Sequence, residues 1–287
     1  MVHCLHVCSC VLSFLVATGF TPVLLAVDQV PEVQQAPSVT EVSSPQAEGS
    51  PGRLLVFSKT AGFRHGSIAA GIQCMEALGA ELGFQVLATE DSSVFTQEGL
   101  AGVSVVVFLN TTGDVLDASQ QTAFESWFRA GGGWLGVHAA ADTEYDWPFY
   151  AELVGAYFKS HPRIQPATVV VEDSEHPSTR MLPGLWRRQD EWYTYRMNPR
   201  PHVKVLATVD EATFEGGGMS GDHPIAWCHE SLGGRSLYTG GGHTIESYVE
   251  PAFRGHLRGS LQWVGGLADS PREVTPEPSV EAEPAKN

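Results

Sequence analysis

The chain is poor in positive charge and in cysteine, and each shortage removes a class of function. Its 287 residues carry 17 Lys and Arg against 33 Asp and Glu, a formal net charge of −16. No basic stripe interrupts that excess, which argues against nucleic acid and anionic membrane surfaces as partners. Of the five cysteines, Cys4, Cys8 and Cys10 precede an apolar run, leaving only Cys74 and Cys228 for the rest of the chain. Two thiols do not make a disulfide framework, so stability has to come from one large core, for which the length is ample. There is no internal repeat, no compact zinc spacing and nothing that reads as a nucleotide-cofactor site.

The ends differ in composition from the middle. Residues 11–27 are apolar and uncharged, broken by Gly19 and Pro22, and are expected to be an export signal cleaved near Ala26. The first ten residues lack Lys and Arg, which weakens the usual basic start and leaves a retained membrane anchor as the alternative. Export implies a periplasmic or extracellular location. Residues 28–52 carry four acids and no base, and residues 267–287 five acids against two bases. Both read as disordered acidic spacers flanking one domain over 53–266.

Within that domain the pattern is regular. RLLVFS (53–58), FQVLAT (84–89) and VSVVVFL (103–109) are apolar on both faces, the mark of a parallel sheet covered on two sides. Between them Ile68, Ile72, Met75, Leu78 and Leu82 recur at helical steps, as do Ala123, Phe124, Trp127 and Phe128. A doubly wound α/β fold is predicted, with ligands gathering at the carboxyl ends of the strands. After residue 166 the runs ATVVVED, VKVLATV, PIAWCH and RSLYTG predict a mixed or antiparallel extension. A helix over 248–264 is expected to close the domain.

Residues with chemical capacity fall mainly at the predicted strand ends. The most informative stretch is GGGWLGVHAAADTEYDWP, 131–148, where a strand runs into a tight turn of small residues that lifts His138 clear of the sheet edge. An imidazole there can bind a metal or move a proton, but it is not an acyl-transfer nucleophile. FRHGSI (63–68) follows the first strand and Asn110-Thr-Thr-Gly-Asp the third. SHP (160–162), DEWY (190–193), GDHPIAWCHE (221–230) and GGGHT (240–244) supply further His, Asp and Glu, a convergence that a binding or catalytic cleft requires. Ser67 reads as a helix cap, and His229 and Cys228 as buried core groups.

These motifs, together with FLNTTGDVL, LVGAYFKSHP, DEWYTY and GGRSLYTGGGHT, resemble the ThuA-like, or trehalose-utilisation, family along 53–266. The resemblance implies a fold similar to class I glutamine amidotransferases, with a flavodoxin-like, mainly parallel sheet, and an association with carbohydrate metabolism. The amidotransferase elbow would read Gly-x-Cys-x-Gly, whereas this chain has Gly136-Val-His138-Ala-Ala140, so glutaminase chemistry is disfavoured. His243 lies where the related fold carries its catalytic histidine, an argument by analogy.

Two schemes fit this inventory. In one, His138, His243 and a third group such as His223 hold a divalent ion of zinc type, with a coordination position open to water or substrate. Asp222 cannot share that ion with His223 if the segment is extended, because neighbours then point to opposite faces. In the other, His138 and His243 act as acid and base on a sugar, tuned by Asp142 or Glu191. His65, Asn110 and Glu144 are expected to contact the substrate, and Trp192 and Tyr193 to offer it a stacking platform. The predicted activity is a sugar-modifying enzyme of hydrolase, lyase or isomerase type acting on a small-molecule carbohydrate. The alternative is an exported carbohydrate-binding module without turnover.

Overall fold

A computed structural model of the chain describes residues 52–267. The expected export signal, and all but the innermost residue of each acidic spacer, lie outside those residues. In chain order the elements are β1 (Arg53–Phe57), α1 (Ile68–Glu81), β2 (Gln85–Thr89), β3 (Val103–Leu109), α2 (Ala118–Arg129), β4 (Gly133–Val137), α3 (Pro148–Val154), β5 (Phe158–Ser160), β6 (Gln165–Val171), β7 (Leu185–Asp190), β8 (Thr194–Tyr195), β9 (Lys204–Val209), β10 (Pro224–His229), β11 (Arg235–Thr239) and α4 (Pro251–Val264). None of the described helices is long and apolar enough to cross a membrane.

Nine strands form one sheet in the order β2-β1-β3-β4-β11-β10-β9-β6-β7, and β5 pairs with β8 in a separate ribbon. The first five are parallel to one another, the 2-1-3-4-5 arrangement of flavodoxin-like folds. Their sequences explain this: β4 is wholly buried and β1 and β3 nearly so, as apolar strands covered on both faces must be. α1 buries Ile68, Cys74, Met75 and Leu78. α2 starts at a capping box, in which Asp117 accepts from the backbone N–H of Ser119 and Gln120 while the Gln120 side chain accepts from Asp117 N–H; such a cap is worth about 1 kcal/mol.

RSLYTG does not belong to the extension. As β11 it lies beside β4 and completes the parallel half. The strand that takes its place in the antiparallel half is β7, LWRRQD, whose alternating exposed and buried residues carry too few apolar side chains to stand out in the sequence.

Strands β10, β9, β6 and β7 are antiparallel throughout. Against β9, β10 shifts register twice between Pro224 and Trp227, and such bulges bend and twist a sheet. The consequence is long-range. Although β7 lies four places from β11, the Asp190 carboxylate at its end accepts from the backbone N–H of Gly242 at 2.8 Å and of His243 at 3.1 Å. The antiparallel half thus curls back and sets the carboxyl end of β7 against the loop after β11.

Candidate metal centre at the sheet edge

Five elements deliver side chains to the carboxyl edge. His65 comes from the loop after β1, His138 directly follows β4, His243 lies in the loop after β11, and Glu191 directly follows β7; Asn110 follows β3 beside them. His138 has φ +49° and no exposed surface. A left-handed backbone at a bulky residue costs about 1–3 kcal/mol and needs fixed neighbours to persist. The neighbours are there: the Tyr238 hydroxyl donates to the His138 carbonyl at 2.8 Å, and the Tyr193 ring lies 4.1 Å from the imidazole.

The carbonyl of Gly240 accepts from His138 Nδ1 at 2.8 Å. A carbonyl only accepts, so Nδ1 bears a proton and Nε2 is the nitrogen that faces inward. Nε2 lies 3.1 Å from His243 Nδ1 and 3.4 Å from Glu191 Oε2, and these last two atoms are 3.1 Å apart. His65 completes the group, with one donor atom from each residue within 4.8 Å of all the others. Its ring stands edge-to-face to those of His138 and His243, and its buried Nδ1 has no hydrogen-bond partner. These four residues can hold a metal ion.

The charges are tuned by proximity. Burial and the neighbouring imidazoles of His138 and His243 push His65 down to about 3, so it is a neutral donor. Burial alone would raise Glu191, but the adjacent rings of His138 and His243 together outweigh it and hold the carboxyl at about 2. His243 shows the reciprocal effect, since burial lowers it and Glu191 raises it further, leaving it above its ordinary value.

Asp190 fixes the frame. Wholly buried, it accepts from Arg188 Nη1 at 2.7 Å, Glu191 N–H at 2.9 Å and the two backbone donors of the β11 loop. Arg188 in turn donates to Glu250 and Ser247. Gly242, at φ +111°, is the residue that lets the loop turn its N–H onto this carboxylate. Burial would raise Asp190, and Arg188, His138 and the backbone donors of Gly242 and Glu191 together outweigh it, so the acid stays below its usual range.

Of the residues singled out from sequence, the structure brings His65, His138, His243 and Glu191 together and places the others differently. His223 stands outside the group: Nε2 faces the Tyr193 carbonyl at 2.7 Å and Nδ1 the Glu211 carboxylate at 2.9 Å, so neither nitrogen is free to ligate with His138. Asp142 accepts from the Tyr145 hydroxyl, and it is the Gly240 carbonyl that orients His138. Glu144 is buried, accepting from Val115 and Leu116 N–H and from Gln121, a clamp on the loop before α2. Burial raises its pKa and these donors lower it, burial prevailing.

Asn110 is buried and donates to Ser67 Oγ at 3.1 Å, while Ser67 forms no helix cap and donates to Gly242 O. Trp192 is fully buried, its indole donating to Gln165 O, and Tyr193 is packed between His138 and Phe158. Neither ring is open to a sugar. The group that sequence reasoning passed over is His161, whose Nδ1 is 2.9 Å from Glu191 Oε1. Its motif SHP was visible, but nothing in the spacing tied it to a carboxylate thirty residues on.

A wide groove of about 1240 Å³ lies at the opposite, amino-terminal edge, lined by residues such as Val103, Gly132, Gly234 and Gly265. Its charged residues, Glu230 and Arg235, are paired with each other, and it contains no histidine or cysteine. Concavity and chemistry are therefore on different edges, and the donor geometry decides for the carboxyl one.

A flavodoxin-like sheet with a His₃Glu group at its carboxyl edge defines an α/β protein with the means for metal or acid–base chemistry. The ThuA family model, described as trehalose utilisation, matches residues 53–264, and the chain belongs to that family. It is similar to the solved ThuA-like protein of Bacteroides uniformis ATCC 8492, at 25% identity and TM-score 0.66 over 77% of this chain and 94% of that one. The ThuA-like protein of Parabacteroides merdae ATCC 43184 follows at 18% identity and TM-score 0.61, over 75% and 90%. A likeness to β-galactosidase from Bacillus circulans sp. alkalophilus, 13% identical with TM-score 0.51 over 76% of this chain and 31% of that enzyme, shows the fold alone. No curated protein sequence matches significantly. The family description points to carbohydrate metabolism.

Proposed function

We propose that this ThuA-family protein binds a divalent ion of zinc type through His65, His138, His243 and Glu191, and acts with it on a sugar or sugar derivative. One observation carries the reading. Zinc bonds of ~2.0–2.1 Å in a tetrahedral site set the ligand atoms roughly 3.3 Å apart. His138 Nε2, His243 Nδ1 and Glu191 Oε2 are separated by 3.1, 3.4 and 3.1 Å, the dimensions of one face of such a tetrahedron. Buried His65 offers a fourth ligand atom within 4.8 Å of the other three, and its Nδ1 has no hydrogen-bond partner.

A bound ion of this kind polarises a substrate oxygen or lowers the pKa of water. The protein's own part is to hold His138 in one tautomer through Gly240, to keep Glu191 anionic, and to fix the His243 loop through Asp190. Hydrolysis, elimination and isomerisation of sugars all use these means. Glutaminase chemistry does not, and the two described thiols are elsewhere: Cys74 beside Arg254 and Cys228 beside His176, pushed up by burial to about 11 and about 12. The apolar stretch 11–27 supports export as the setting.

The same 3.1 Å contact between His138 and His243 also closes as a hydrogen bond, which favours metal-free acid–base catalysis as the second reading. Elemental analysis of the dialysed full-length protein separates the two. Close to one zinc per chain, lost in both His138→Ala and His243→Ala, is the expected result; no metal after incubation with zinc or manganese would defeat the first reading. Turnover lost in His138→Ala with sugar binding retained distinguishes an enzyme from a binding module.

A further inference from the structure

Phe63 is the one exposed Phe, Trp or Tyr side chain among the described residues, with 67% of its surface in water. Its neighbourhood does not suggest a loose loop. Ala61 N–H donates to the Thr112 carbonyl at 2.7 Å, Gly62 N–H to Thr112 Oγ1 at 3.2 Å, and Thr112 Oγ1 to the Phe63 carbonyl at 2.9 Å. Thr60 and Thr112 also form a β-bridge. The backbone is thus pinned to the end of β3 while the ring is left uncovered.

The ring is also next to the chemistry. It lies 4.9 Å from the His65 imidazole, nearly perpendicular to it, and His65 is a member of the donor group. Across the group, Tyr193 packs on His138 and Phe158 packs on the Tyr193 ring; Tyr193 is buried and Phe158 half-buried. Beyond His243, Ile245 adds exposed apolar surface. A ligand reaching the four donors from solvent therefore finds two exposed rings, those of Phe63 and of His161 beside Glu191, and only Phe63 carries no polar atom to compete with the donors for hydroxyl groups.

We propose that Phe63 is the stacking surface for a pyranose, and that the site selects a cyclic sugar whose apolar face lies on this ring while its hydroxyl-bearing edge meets His65, His138, His243 and Glu191. A cyclic sugar has such a face and a flexible polyol does not, so the ring sets specificity rather than reactivity. The orientation of the sugar rests on the metal-centre reading; the stacking contact stands without it.

The test uses the full-length protein with two probes, methyl α-D-glucopyranoside and D-sorbitol. Affinities are measured by calorimetry for wild type, Phe63→Ala and Phe63→Trp, with zinc per chain determined in each preparation. Wild type is expected to prefer the pyranoside. Phe63→Ala should weaken pyranoside binding roughly three- to tenfold and leave sorbitol binding and zinc content unchanged, and Phe63→Trp should retain the preference. Equal affinity for the two probes in wild type, undetectable pyranoside binding, or unchanged pyranoside binding in Phe63→Ala would overturn the proposal. Phe63-dependent binding by a protein that takes up no zinc would uphold the stacking surface and defeat the metal centre alone.

Discussion

Two groups of histidines are buried or, for His243, half-buried in this domain, and they are enclosed in different ways. His65, His138 and His243 point nitrogens at one another and at Glu191. In the second group each ring is taken up by its own surroundings: His229 by Leu153 O and Ser231 Oγ, His176 by Ser178 Oγ and Cys228 Sγ, His223 by Tyr193 O and Glu211. His256 donates to Ser178 O and leaves its second nitrogen unpartnered. Burial alone does not mark a functional histidine, since both groups share it. Convergence of lone pairs does, because it is electrostatically unfavourable until a proton or a cation sits between them.

The comparison breaks most severely at the frame that holds the first group. Asp190→Asn removes the charge that balances buried Arg188 and, by turning one oxygen into an NH2 group, the acceptor of either Gly242 N–H or His243 N–H in the β11 loop. Breaking a buried ion pair costs about 3–5 kcal/mol, and because Arg188 keeps Glu250 as a second partner a loss at the lower end of that range is to be read from urea unfolding. Zinc uptake should fall with it, as His243 loses its anchored backbone. If Asp190→Asn unfolds at the wild-type midpoint, the clamp is not what sets the loop.

Removing a member of the first group should cost less in stability and more in binding. His138→Ala is expected to weaken zinc at least about a hundredfold, beyond the 10- to 100-fold seen for losses one shell further out. His229→Ala should leave zinc content unchanged and lower stability by about 1–3 kcal/mol through lost packing and the loss of the imidazole's hydrogen bonds, while the Leu153 carbonyl keeps the Ser236 hydroxyl. Equal zinc loss from the two substitutions would erase the distinction between the groups.

The second group has its own signature, which is acid sensitivity away from the site. Burial pushes His176 and His256 down to about 4, against an ordinary 6.5. The unfolded chain therefore takes up protons first as the pH falls. Their contribution to stability is intact above about 6.5 and is lost progressively as the pH drops toward 4. His256→Gln should flatten the dependence between pH 5 and 6 by up to about 1.4 kcal/mol per pH unit, measured as urea midpoints at both pH values. An unaltered slope would mean that His256 is not held neutral.

The parallel half of the sheet was legible because its strands and helices carry their own periodicity, and His138 stood out because Gly-Val-His-Ala-Ala follows a buried strand. His65 and His243 were legible from their places at strand ends. Glu191 was named as a carboxylate that could tune His138 and His243, but what carries it to them, the curl of the antiparallel half, was not visible. That curl depends on register shifts in β10 and on Asp190 binding a loop more than fifty residues away, and no local pattern encodes either. His223 misled because its partner, Glu211, lies in a separate loop. The Trp192 and Tyr193 platform misled because strand alternation shows which rings share a face and not which ones the next layer covers.

The smallest effect is expected at a pair that looks reactive by composition. Cys228 Sγ lies 3.8 Å from His176 Nε2, a thiol beside an imidazole, as in many nucleophilic sites. Activation requires a thiolate, and here burial acts the other way on both partners, raising Cys228 to about 12 and lowering His176 to about 4. Neither the anion nor the imidazolium that would stabilise it is favoured. Cys228→Ala should leave zinc content and any turnover unchanged and alter stability by about 1 kcal/mol or less, as the loss of a small apolar group does. Iodoacetamide should not label Cys228 in the folded protein at pH 8. Rapid labelling, or turnover lost in Cys228→Ala, would move the chemistry from the imidazole at the sheet edge to a thiol in the core.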